Sequence, residues 1–162
     1  MIDNFDIAQI CENGHIVNDF FRTYPLRNKK FCKDCGSPTI TACRKCRVPI
    51  QGGRDFGRID GLWPLDDPPS YCPECGYPYP WTEKKISAAK EFIEEFDDLN
   101  EKDKKIFIAN IDDLIIDTPR TKAAALKVKK VLGKLPAEAF SVAKGILINL
   151  LTSAAKGELG LK

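Results

Sequence analysis

The chain has 162 residues, 43% of them hydrophobic and 30% charged, which fits a globular protein and excludes a disordered one. Its seven cysteines are an odd number, so they cannot close into a full set of disulfides, and a secreted, disulfide-stapled scaffold is disfavoured. A formal net charge of +2 is too small to mark a nucleic-acid protein from the total alone.

The opening MIDNFDIAQI carries two aspartates, no basic residue and no apolar run of signal-peptide length, so a cytoplasmic location is expected. In such a compartment thiols stay reduced, and paired cysteines usually mean metal. The first strand expected is Phe5–Ile10, followed by Ile16–Tyr24 and then Thr39–Ala42. Pro25, Gly36, Gly52-Gly53, Pro68-Pro69 and Gly76 punctuate these runs as turns. None of the runs is long enough to bury a conventional core, so this half needs another source of stability.

Composition changes near Trp81. Residues 1–82 hold every cysteine, the single histidine and eleven of the fifteen aromatic residues. Beyond that point the pattern is helical. Thr82 is the expected N-cap of a helix carrying Ile86, Ala89, Phe92, Ile93, Phe96 and Leu99 at three- and four-residue spacing. Asn100 with Asp103 resembles a capping arrangement ahead of Ile106, Phe107 and Ile111. Thr118-Pro119 predicts a further helix start, with the helix reaching about Gly133 and Leu126, Val131 and Leu132 facing inward. Pro136 opens a last helix running to about Lys156. The expected fold class is α+β: a first zinc ribbon over 1–41, a second over 42–81, and an all-α region of about four helices over 82–162.

The ligand spacing is the strongest signal. Cys11-Glu-Asn-Gly-His15 and Cys32-Lys-Asp-Cys35 form one set, and Cys43-Arg-Lys-Cys46 with Cys72-Pro-Glu-Cys75 a second. Two ligands on one tight turn can reach a single metal at about 2.0–2.3 Å, and a second turn completes the tetrahedron. One such pair alone could be a redox dithiol, and a lone cysteine is usually a small buried hydrophobe. Three CxxC pairs and one CxxxH that use every cysteine argue against both readings. His15 is the weakest single assignment, because a lone histidine is often a surface residue. Its place after Gly14, opposite an otherwise incomplete three-cysteine set, makes it the eighth ligand. Two structural Zn²⁺ ions are therefore expected, each with four protein ligands and no open position. Four thiolates also suit iron at Cys43, Cys46, Cys72 and Cys75, whereas the mixed set favours zinc.

With His15 spent, no histidine remains for a nucleophilic triad, and neither a GxxxxGK[ST] nor a GxGxxG occurs. The H-x-E and P-C-x-x-C signature of zinc deaminases is missing too, because Ile16-Val17 follow His15 and Tyr71 precedes Cys72. A non-enzymatic protein is expected.

The arrangement resembles a family of small bacterial proteins of unknown function with an N-terminal double zinc ribbon and a helical C-terminal region. The resemblance rests on Ile10-Cys11-Glu12-Asn13-Gly14-His15, on Phe31–Gly36, on Cys43–Cys46, and on Tyr71–Gly76 leading into Pro78-Tyr79-Pro80-Trp81-Thr82. Asp117-Thr118-Pro119-Arg120-Thr121 extends it along most of the chain. It implies the same ligand positions and a bacterial cytoplasmic setting, and no activity.

Charge is segregated: residues 83–117 sum to −5 and residues 118–162 to +7. The two portions can pack on each other. Alternatively Arg120, Lys122, Lys127, Lys129, Lys130 and Lys134 meet phosphates or an anionic membrane surface. From Ala139 to Leu151 only Lys144 is charged. That stretch is expected to be buried, in the helical region or in a homo-oligomer formed through residues 136–156, in preference to lying on a membrane. Near the knuckles, Arg27, Lys29, Lys30, Lys33, Arg44, Lys45 and Arg47 offset thiolate charge or contact nucleic acid. In the second case Phe31, Trp63, Tyr77, Tyr79 and Trp81 would be stacking platforms. The leading expectation is a non-enzymatic adaptor whose ribbons recognise an unknown protein partner and whose helical tail mediates self-association or docking.

Overall fold

The computed structural model describes residues 5–56, 61–148 and 151–161. The chain divides into two compact units, Met1–Lys84 and Lys85–Lys162. Small antiparallel sheets make the first and helices the second, so the class is α+β as expected.

In the first unit the strands are β1 (Phe5–Ile7), β2 (Gln9–Cys11), β3 (Ile16–Asn18), β4 (Thr39–Ile40), β5 (Gln51–Asp55) and β6 (Leu62–Trp63). They form two three-stranded sheets, ordered β1-β5-β6 and β3-β2-β4. The expected strand Phe5–Ile10 is therefore two strands in two sheets. The chain switches sheets at Ala8, which is fully buried and donates its N–H to Ile50 O at 2.8 Å. A methyl side chain leaves room for that crossover. As a result β1, from the segment assigned to the first ribbon, pairs with β5 from the second, in the register Phe5↔Arg54 and Ile7↔Gln51. The Arg54 guanidinium lies 4.0 Å from the Phe5 ring centre, a cross-strand cation–π contact.

The expected strand Ile16–Tyr24 stops at Asn18. The Asn18 side chain accepts the Phe20 N–H at 3.1 Å and donates to Tyr24 O at 3.0 Å, so it closes a turn where the sheet would otherwise continue. Gly52-Gly53, read from the sequence as a turn, lies inside β5. A Cβ on Gly52 would sit 2.3 Å from Asp19 O, and one on Gly53 would sit 2.4 Å from the Phe20 ring. These glycines admit a close approach of backbone and ring. The core of this unit is small: Ala8, Ile10, Cys43, Ile50, Cys72, Tyr79 and Trp81. Tyr79 and Trp81 stack at 4.8 Å, and Trp81 Nε1–H donates to Pro69 O at 2.8 Å.

The helices are α1 (Pro80–Glu94), α2 (Glu101–Asn110), α3 (Asp112–Ile115), α4 (Thr121–Leu132), α5 (Ala137–Ile148) and α6 (Ser153–Leu159). Thr82 is not the cap of α1. The helix already begins at Pro80, and the Thr82 hydroxyl donates instead to Ser70 O at 2.7 Å. Asn100 does cap α2, accepting the Asp103 N–H at 3.0 Å. At Thr118-Pro119 the helix starts later than expected. The Thr118 hydroxyl accepts the Arg120 N–H, while the Thr118 N–H donates to Thr121 Oγ1, and α4 opens at Thr121. Leu126 is 49% exposed, not inward-facing, because Ala124, Ala125, Val128, Val131 and Leu132 fill that side of the core. The last expected helix is two helices, since Thr152 accepts the Ala155 N–H and opens α6. Ala143 and Leu147 on α5 are fully buried in the core of their own unit. Asn149, Leu150 and the Ile146 side chain, part of the stretch assigned to self-association, lie outside the described residues. Among the described residues, no helix is long and apolar enough to cross a membrane.

Candidate metal centres

The three CxxC pairs sit on turns of the same construction, whereas in the Cys11–His15 knuckle the Cys11 N–H donates to His15 O and the Gly14 N–H returns to Cys11 O. Cys32 N–H donates to Ser37 O, Cys43 N–H to Val48 O and Cys72 N–H to Tyr77 O, at 2.8–2.9 Å. The residue after the second cysteine returns its N–H to the carbonyl of the first: Gly36 to Cys32, Arg47 to Cys43 and Gly76 to Cys72. Just outside each turn, Phe31 bridges Pro38, Ala42 bridges Pro49 and Tyr71 bridges Pro78. The sequence carries the matching signal, C-x-x-C-[GR]-x-P three times, which the pairwise reading of the cysteines passed over. The residue directly after the second cysteine turns the chain through positive φ, +69° at Gly36, +66° at Arg47 and +67° at Gly76. Arg47 is the one positive-φ residue other than glycine among the described residues.

These turns bring the eight expected ligands together in the two expected sets. Cys11, His15, Cys32 and Cys35 form one group, and Cys43, Cys46, Cys72 and Cys75 the other, with all donor atoms of a group within 4.8 Å of one another. In the mixed group Cys11 Sγ lies 3.7 Å from Cys35 Sγ, and His15 Nδ1 lies 3.5 Å from Cys11 Sγ and 3.6 Å from Cys32 Sγ. In the thiol group Cys43 Sγ–Cys75 Sγ is 3.7 Å and Cys46 Sγ–Cys72 Sγ is 3.6 Å. A tetrahedron with metal–sulfur bonds of about 2.3 Å has edges of about 3.8 Å, and one nitrogen corner shortens its edges to about 3.5 Å. The geometry thus fits a four-coordinate cation in both groups. It also identifies Nδ1 as the His15 donor, which spacing alone could not do. All seven cysteines are free of disulfides.

The charge balance agrees with a cation. In the thiol group, the Cys72 thiol is lowered to about 6: burial opposes ionisation, but the N–H groups of Cys75 and Glu74 and the neighbouring thiols favour it. Cys46 is pushed up to about 12; the Val48 N–H favours its thiolate, but burial and the Cys75, Cys72 and Cys43 sulfurs outweigh it. Four thiolates cannot share this space without a positive ion. In the mixed group Cys35 is lowered to about 6, mainly by the Ser37 N–H and hydroxyl. Around it Asn13 Nδ2 donates to Cys35 Sγ at 3.5 Å and to Ser37 Oγ at 2.8 Å. Glu12 carries ion pairs to Arg44 and to Lys84, which tie the first knuckle to the third.

Tyr79 supports the thiol group from inside the core. Its hydroxyl is buried and finds no hydrogen-bond partner. Burial, and then the charge on Cys72, raise its pKa. The sequence reading had placed Tyr79 and Trp81 among five stacking platforms. Both are 1% exposed and belong to the core, whereas Phe31, Trp63 and Tyr77 are exposed.

The six basic residues of 120–134 do not form one free surface. Arg120 pairs with Asp113 at 3.3 Å and Lys122 with Glu158 at 3.8 Å, and Lys129 Nζ donates to Glu158 O. Lys134 Nζ donates to both Asp103 oxygens, at 2.7 and 2.8 Å. Lys127 and Lys130 instead line an open groove beside α2.

Two closed four-donor groups on ribbon turns, each with the geometry to hold a metal ion, followed by a helical unit, define the class of this protein. The family model described as an uncharacterized protein conserved in bacteria (DUF2321) matches residues 4–159, and the chain belongs to that family. No curated protein and no solved structure matches it.

Proposed function

We propose that the chain is a non-enzymatic cytoplasmic adaptor. Two structural zinc ions hold its ribbon unit, and a protein partner docks on the molecule. The observation that carries this reading is the pair of tetrads whose donor spacings match a tetrahedral ion with no corner left over. A filled coordination sphere offers no place for a substrate or an activated water. The ion instead supplies the folding free energy that short strands cannot, on the order of 10 kcal/mol per centre. Zinc is favoured over iron by the imidazole corner at His15, and the two centres share one turn design. Seven free thiols suit a reducing compartment.

A protein partner is preferred to nucleic acid because Tyr79 and Trp81 are consumed by the core. It is preferred to self-association through 136–156 because Ala143 and Leu147 already pack within their own unit.

The test is elemental analysis of the purified chain with chelation followed by tryptophan fluorescence and circular dichroism. Two zinc per chain are expected. Chelator should shift the emission of Trp63 and Trp81 while most helical signal stays, and Cys72→Ser should hold about one zinc. Metal-free protein with unchanged fluorescence, or iron at both centres, would overturn the assignment.

A further inference from the structure

The groove between α2 and α4 offers a specific docking surface, and the geometry points to an acidic amphipathic helix as its occupant. This deepens the adaptor reading by naming the partner's chemistry. The groove encloses about 1050 Å³. Two turns of helix, taken as a cylinder about 10 Å across, fill about 850 Å³. Its floor is apolar: Ile106 is half-buried, Val131 is buried, and Ala109 is exposed and small enough for close backbone approach.

Its rims are lysines at helical spacing. Lys102 and Lys105 stand on α2, Lys127 and Lys130 on α4, and Lys134 on the turn that follows α4. The segment that looked acidic in sequence therefore turns two of its lysines toward the basic helix. The acids in the lining are already engaged: Asp103 is held by Lys134, and Glu101 lies 3.9 Å from Lys104. Among the described residues the side chains of Lys105, Lys127 and Lys130 form no ion pair or hydrogen bond. Lys127 and Lys130 are three residues apart on α4, so two like charges stand side by side on one face.

An apolar floor between two cationic rims is complementary to a helix with an apolar stripe flanked by Glu or Asp, the arrangement that pairs helices through core and edge positions. The lining holds no arginine for bidentate phosphate contact and no aromatic ring for base stacking, so nucleic acid fits it less well. A concave floor also presents little apolar surface to a flat bilayer.

The experiment uses the full metal-loaded chain, with metal content measured in each sample so that failure of the ribbon reading is seen separately. Fluorescence anisotropy compares three labelled probes: a model peptide of about 18 residues with leucine at i, i+3, i+4 and i+7 and glutamate on the flanks, its scrambled counterpart, and an oligouridine of similar length. Vesicles containing phosphatidylserine are tested by co-sedimentation. The amphipathic peptide should bind at least about tenfold tighter than the scrambled one, and more weakly as salt rises. Lys127→Glu/Lys130→Glu should weaken it at least about tenfold while the circular dichroism spectrum, metal content and midpoint of thermal unfolding hold or rise. Absence of binding, equal binding of the scrambled peptide or by the double variant, or tighter binding of oligouridine or vesicles would overturn the proposal.

Discussion

Arg47 occupies a slot that its two counterparts give to glycine, and replacing it is the sharpest test of how the ribbon turns are built. At φ +66° an L-residue is held in the left-handed region, at a cost of roughly 1–2 kcal/mol. Glycine removes that cost but gives the unfolded chain more freedom, worth about 0.4–1 kcal/mol. Arg47→Gly should therefore stabilise the ribbon unit by about 0.5–1 kcal/mol. For a unit of this size that is a rise of about 3–6 °C in the unfolding midpoint. No ion pair of Arg47 is lost among the described residues. The mirror substitutions are equally clean, because no atom lies within 4 Å of a Cβ added at Gly36 or Gly76. Each should lose about 1 kcal/mol from backbone strain alone. Both tryptophans, Trp63 and Trp81, belong to the first unit, so intrinsic fluorescence at saturating zinc reports this unit specifically. If Gly36→Ala and Gly76→Ala lower the midpoint while Arg47→Gly leaves it unchanged or lowers it, then the Arg47 side chain, not backbone strain, governs the third turn.

Two further outcomes follow from groups already placed. Lys134 holds the Asp103 carboxyl below its usual pKa, so Asp103 stabilises the helical unit above the unfolded carboxylate value near 4, and that contribution is lost as pH falls through the depressed value. Asp103→Asn should accordingly be less stable than the parent in urea at pH 7 and equal to it near pH 2, read at 222 nm; a gap that persists at pH 2 refutes the linkage. Tyr79→Phe removes a buried hydroxyl that finds no hydrogen-bond partner, so it should keep two zinc per chain and leave the unfolding midpoint of the ribbon unit unchanged or raised. A lowered midpoint or a lost zinc would show that the hydroxyl does pair with a group beside it.

The metal centres were legible because a metal imposes its geometry over three or four residues. Cys32–Cys35 and Cys72–Cys75 announce their turns regardless of what surrounds them. The choice of Nδ1 on His15 depends on how β2 and β3 place the first knuckle, and spacing carries no trace of it. β5 was hidden for a different reason. Gly52-Gly53 reads as a breaker until Asp19 O and the Phe20 ring are seen to occupy the space a Cβ would need. Helix starts were misjudged where a hydroxyl had a better use: Thr82 is drawn to Ser70 O, and Thr118 closes a turn ahead of Thr121. Charge by segment also misled, because Lys102 and Lys105 lie in an acidic stretch yet face the groove shared with α4.

The sheet switch at Ala8 bears on the order in which this protein assembles. The first ligand set is complete once Cys35 has been synthesised, but β1 has no strand to pair with until β5 begins at Gln51, sixteen residues after Cys35. A nascent chain can thus capture its first ion while its leading strand still waits. Closing β1 onto β5 then joins the segment that leads into the first donor group to the half that carries the second. The N-terminal segment is a latch that can shut once Gln51–Asp55 exists, before Cys72 and Cys75 complete the second ligand set, and a chain interrupted before β5 would have its first donor group but no partner for its leading strand.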